Sequence, residues 1–136
     1  MSTSKKTPSV ILLIDDDATT NFLHQRAIRK AVGEVTVHQR LDGQLGYEYL
    51  CATHEAGEEA PDFIFLDINM PRLDGWGFLE RYHQLPEQWR QRAQLYMLTT
   101  SLNPDDHERA SSYAGVRGVV DKILSADRFR EIMAEA

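Results

Sequence analysis

Cysteine, long apolar runs and basic residues are all in short supply, and each shortage excludes a class of protein. The 136 residues include one cysteine, Cys51, so no internal disulfide can form and nothing points to an oxidising compartment. The first apolar run, Val10 to Ile14, is five residues long and then meets three aspartates. A signal-peptide core is longer, and a spanning helix needs about 20 residues. Lys and Arg number 15 against 21 Asp and Glu, for a formal charge of −6. That argues against a general nucleic-acid binder, because phosphate-backbone affinity is built mainly from clustered Lys and Arg. The expectation is a cytoplasmic protein with no membrane segment and no direct nucleic-acid contact, which meets cations or other proteins. Composition is otherwise ordinary, 42% hydrophobic and 26% charged, at a length that suits one domain.

Short apolar runs recur roughly every 25 to 30 residues, about a strand, a helix and two loops apart. They are Val10–Ile14, Val35–Val37, Phe63–Leu66, Leu95–Leu98 and Val119–Val120. Their hydrophobicity is continuous rather than alternating, as in parallel strands covered on both faces. Helical spacing fills the gaps: Leu23, Ala27, Ile28, Ala31 and Val32; Leu41, Leu45 and Tyr49; Leu79 and Tyr82; Ala110 and Ala114; Phe129, Ile132 and Met133. The segments Thr53–Pro61 and Leu85–Arg92 read as loops. The pattern predicts an α/β fold of (βα)5 type, five strands alternating with five helices in layers.

Open parallel sheets bind ligands outside the carboxyl ends of their strands. Just after the runs stand Asp15, Asp16 and Asp67, then Thr99 to Ser101, then Asp121 and Lys122. Three carboxylates gathered at one edge repel one another unless a cation sits among them. Mg²⁺ suits such a site, since it takes one or two carboxylates, keeps several waters and leaves room for phosphate oxygens. One carboxylate could then attack phosphorus to form an aspartyl-phosphate, with Lys122 and Thr99 stabilising the transferring oxygens. Competing sites fail. The turn after the first run is anionic rather than Gly-rich, and Gly75-Trp76-Gly77 meets Glu80 where a third glycine would stand. A calcium loop counted from Asp67 ends on Phe78 instead of Glu. The five histidines lack the spacing of a helical metal site.

The acidic pair Asp15-Asp16, the string Asp67-Ile-Asn-Met-Pro-Arg-Leu-Asp-Gly75, Thr99 and Lys122 resemble the receiver domain of two-component response regulators, in its CheY-like, single-domain form. The resemblance implies a flavodoxin-like three-layer sandwich with a five-stranded parallel sheet in the order 2-1-3-4-5. It makes Asp67 the phospho-acceptor. Asp15, Asp16, Asp67 and the backbone carbonyl of Asn69 become the Mg²⁺ ligands, Thr99 the sensor of the phosphoryl group, and Lys122 its partner. Asn69 and Ser101 occupy positions that tune attack of water on the phospho-aspartate. The implied donor is a sensor histidine kinase or histidine phosphotransfer protein, and the output is contact with an unknown downstream protein or passage of the phosphoryl group along a phosphorelay. Such a domain is a phospho-acceptor rather than an enzyme acting on other substrates.

Two departures from the family stand out. Ile123 replaces the proline that follows the lysine, so the Lys122–Ile123 peptide either stays cis or turns trans and moves Lys122. Val119 stands where many receivers carry a switching Tyr or Phe. Several residues read more simply: Asp17 as a helix cap, Asp74-Gly75 as a turn before the third helix, and Trp76, Phe78, Tyr82 and Cys51 as packing. The mixed charges at Asp105, Asp106, His107, Arg109, Asp127, Arg128 and Arg130 read as solvated surface. The expected organisation is a flexible tail at 1–8 and a receiver at 9–136 with no output domain. The alternative is a receiver-like interaction module that phosphorylation does not control.

Overall fold

The five apolar runs form five strands of one parallel sheet, in the order β2-β1-β3-β4-β5. The computed structural model describes residues 8–100 and 103–135. The strands are β1 (Val10–Ile14), β2 (Thr36–Arg40), β3 (Phe63–Asp67), β4 (Gln94–Thr99) and β5 (Val116–Asp121). The helices are α1 (Ala18–Val32), α2 (Gly43–Glu55), α3 (Gly75–Tyr82), α4 (Glu87–Arg90), α5 (Pro104–Ser111) and α6 (Ala126–Glu135). Of the expected tail at 1–8, residues 1–7 lie outside the described residues, as does Ser101, while Pro8 is buried.

Side chains alternate across the pleat, so the sheet builds two cores. Leu12, Ile14, Ile64, Leu66, Leu95 and Met97 face Leu50, Phe78, Leu79, Tyr82 and Ala110 of α2, α3 and α5. On the other face Ile11, Leu13, Phe63, Phe65, Tyr96, Leu98 and Val120 meet Ile28 of α1 and Phe129 and Ile132 of α6. Phe63 and Phe65 pack edge-on against Phe129, with centroids 5.4 and 5.9 Å away. This two-sided burial is why the central strands read as unbroken apolar runs.

Several local expectations are corrected. Helix α1 buries Thr20, Asn21, His24 and Ile28, and Leu23 is left 37% exposed; the turn of α1 nearest the site faces inward with polar side chains. Leu41 is exposed and precedes α2, whose start is fixed by the Asp42 cap, its carboxylate accepting from Leu45 N–H. Helix α2 runs on to Glu55, into the segment expected as loop. The Leu85–Arg92 connection holds α4, a single turn following Pro86. Ala114 lies past the end of α5 and is exposed. Gly75 opens α3 because nothing larger fits: a Cβ there would lie 2.7 Å from the Asp67 carbonyl oxygen.

Candidate functional site

Asp15 follows β1 directly and is held on every side. Its N–H donates to the Arg40 carbonyl at 3.1 Å, and its own carbonyl accepts from Asn21 Nδ2 at 3.0 Å. Its Oδ1 accepts from Asp17 N–H at 2.9 Å. Asp17 in turn caps α1, accepting from Thr19 N–H at 2.9 Å and from the Thr20 hydroxyl at 3.0 Å, which ends the strand and starts the helix within three residues. Asp16, between them, is exposed. Asp67 closes β3 and is 5% exposed. Gly75 N–H reaches back to the Ile68 carbonyl at 2.8 Å, so α3 begins against the backbone of the loop that follows Asp67.

Lys122 arrives from the far side of the sheet. Thr99 and Asp121 are paired at the ends of β4 and β5, and Lys122 N–H donates to the Thr99 carbonyl at 2.9 Å. Lys122 Nζ then lies 2.8 Å from Asp15 Oδ2 and 2.9 Å from Asp67 Oδ1. The Lys122–Ile123 peptide is cis without proline, and Lys122 stays beside Asp67. Thr99 is buried at the same edge, and Asn69 stands exposed two residues beyond Asp67. The sequence-expected residues Asp15, Asp16, Asp67, Thr99 and Lys122 thus share one end of the sheet. Val119 is half-buried against the α2, α3 and α5 core.

The electrostatics suit a cation. Oxygens of Asp15, Asp16 and Asp67 all lie within 4.8 Å of one another, and the Lys122 ammonium pairs with two of the three carboxylates. Burial pushes the Asp67 carboxyl above its ordinary value; Lys122 pulls it back, and Asp15 and Asp16 add to the rise. Burial lowers Lys122, but its bonds to Asp15 and Asp67 outweigh that and raise it, so it stays charged. A hard divalent ion with oxygen ligands relieves the remaining carboxylate repulsion, and Mg²⁺ fits this donor set.

Three neighbours of the site were not legible from the sequence. Asn21 and His24, both fully buried, lie on the inner side of α1. Asp42 pairs with Arg72, whose Nε donates to Asp42 Oδ2 at 2.8 Å, tying the start of α2 to the loop after Asp67. The signal was a pair of polar residues three apart on a helix; of the apolar stripe on that helix, Ile28, Ala31 and Val32 pack on the core but Leu23 does not.

Comparison with known proteins agrees with this geometry. The family model for the response regulator receiver domain matches residues 11–134. The chain is 31% identical over 107 residues to Response regulator Rcp1 of Synechocystis, covering 78% of this chain and 71% of that protein. It is 31% identical over 106 residues to the Probable methanogenesis regulatory protein FilR2 of Methanothrix harundinacea, covering 77% of this chain. That match spans 66% of FilR2, just under two thirds. A crystal structure of a two component response regulator from Cytophaga hutchinsonii superposes with a TM-score of 0.87 at 28% identity, covering 96% of this chain and 97% of that one. The Mn²⁺-bound form of Rcp1 superposes with a TM-score of 0.70 at 26% identity, covering 93% and 91%.

Proposed function

This chain belongs to the response regulator receiver domain family, and on that premise we propose that Asp67 accepts the phosphoryl group, with Asp15, Asp16 and the Asn69 carbonyl completing the Mg²⁺ site around it. Receivers are Mg²⁺-dependent phospho-acceptors that work with a histidine kinase or phosphotransfer protein. In the proposed reaction an Asp67 carboxylate oxygen attacks the phosphorus of a phosphohistidine, the P–N bond breaks, and the histidine nitrogen leaves with the bond's electron pair. Mg²⁺, when bound, neutralises charge on the phosphoryl oxygens and on the acidic pair. Lys122 trades one carboxylate partner for a phosphoryl oxygen, and the Thr99 hydroxyl donates to another.

Output runs through contact with a downstream partner or through a phosphorelay, and the proposed location is cytoplasmic; no helix among the described residues is long and apolar enough to cross a membrane. The observation that carries the reading is Lys122 Nζ poised between Asp15 and Asp67 at 2.8 and 2.9 Å. Incubation with a small-molecule phosphodonor or a phosphohistidine donor and Mg²⁺ should give one phosphoryl addition by intact mass. EDTA or Asp67→Asn should abolish it. An intact protein that a cognate phosphohistidine donor leaves unlabelled would instead be an interaction module outside phosphoryl control.

A further inference from the structure

The acidic pair is joined by one peptide bond, and the carbonyl of that peptide belongs to Asp15. Strand pairing ends one residue earlier, at Ile14 against Arg40 and Leu66, so the sheet ladder supplies this carbonyl with no donor. Asn21 supplies it. The side chain is fully buried and Nδ2 donates to the Asp15 carbonyl at 3.0 Å. An amide nitrogen is the only end of Asn21 that can satisfy a carbonyl, so its orientation is fixed. Its Oδ1 has no partner among the described residues.

We infer that Asn21 is a positioning residue for metal binding: by gripping the Asp15–Asp16 peptide it sets the directions in which the two carboxylates leave the backbone. The other restraint supplied by a side chain is Lys122 on Asp15 Oδ2, and Lys122 must shift when a phosphoryl group arrives. Asn21 touches neither the metal ligand oxygens nor the reacting atoms, so its grip persists through the reaction. Groups that orient ligands in this way typically change metal affinity about 10–100-fold when removed. His24, three residues along the same buried side, makes no such bond: neither ring nitrogen has a partner among the described residues. It is the natural control.

This inference rests on the Mg²⁺ reading, and the experiment separates the two. Mg²⁺ affinity is measured by calorimetric titration for wild type, Asn21→Leu, Asn21→Gln and His24→Leu, with each variant's melting temperature taken in EDTA. Asn21→Leu should weaken Mg²⁺ about tenfold or more while the metal-free protein still melts cooperatively. Asn21→Gln, which keeps the amide, should recover most of the affinity, and His24→Leu should leave it unchanged. A folded Asn21→Leu protein with wild-type Mg²⁺ affinity overturns the inference. NMR of wild type reads the same point without a variant, for the case where Asn21→Leu does not fold. The Asn21 side-chain amide should shift as Mg²⁺ saturates, and an unmoved resonance overturns it. A wild type that binds no Mg²⁺ overturns the metal reading itself.

Discussion

Two buried titratable side chains near the site respond to pH in opposite directions. Burial drives His24 from its ordinary 6.5 down to about 4; Asp15 opposes this and Lys122 reinforces it. The native state therefore keeps His24 neutral while the unfolded chain takes up a proton below about pH 6.5. Its contribution is intact above that value and is lost progressively as pH falls toward 4. Asp67 works the other way. Its carboxyl sits above the ordinary 3.8 through burial, so the native state protonates first and gains stability as pH falls through that raised value. Urea midpoints between pH 7.5 and 4.5 should separate them. His24→Leu should lose less stability on acidification than wild type, because it has no proton to gain on unfolding. Equal slopes for the two proteins would rule out the buried neutral histidine.

At the scale of elements, the β2–α2 junction is pinned to the loop that follows Asp67. Gly43 N–H donates to the Leu73 carbonyl at 3.1 Å, and a Cβ on Gly43 would lie 2.2 Å from that oxygen. Beside it, Asp42 caps α2 and holds Arg72, whose φ of 65° turns the loop back toward α2. Gly43→Ala cannot keep this approach and should cost about 1–3 kcal/mol, the usual range for overpacking a tight site. Its urea midpoint should fall with the m-value unchanged. The Asp42–Arg72 pair contributes less, since the Arg72 side chain is 59% exposed and screened ion pairs are weak. The value of the pair is geometric: it joins two of the loops that rim the acidic site.

The whole molecule carries the cost of concentrating carboxylates in one place. Asp15 and Asp67 are buried with Asp16 within 4.8 Å, so the metal-free fold is held below its potential stability by its own site. Asp67→Asn removes that load and should melt above wild type in EDTA. Mg²⁺ should then reverse the order by mass action, adding about 2.7 kcal/mol to wild type at a hundredfold excess over its Kd. Thermal melts with and without Mg²⁺ check this. An Asp67→Asn protein that melts below wild type in EDTA would mean that its ion pair with Lys122 outweighs the desolvation of the carboxylate.

Much of this was legible in the chain. Asp15 and Asp67 follow directly on an apolar run and Lys122 stands one residue further on, after Asp121, and parallel strands deliver the residues after their carboxyl ends to one edge whatever the details between. Strand number and the two-sided core followed from unbroken hydrophobicity for the same reason. The face of α1 followed only in its second half: Ile28, Ala31 and Val32 pack on the core as their spacing implied, while in the first half Leu23 is exposed and Thr20, Asn21 and His24 turn inward, where Asn21 meets the Asp15 carbonyl. The short α4 and the Asp42–Arg72 tie depend on contacts between segments far apart in sequence, about 30 residues in the second case. The sequence by itself determined which groups stand just past the strand ends, since hydrophobic runs are carried locally, while the strand order came with the family resemblance and not with the runs. Only the tertiary structure decided how they are aimed, since aim depends on hydrogen bonds between elements that no periodicity encodes.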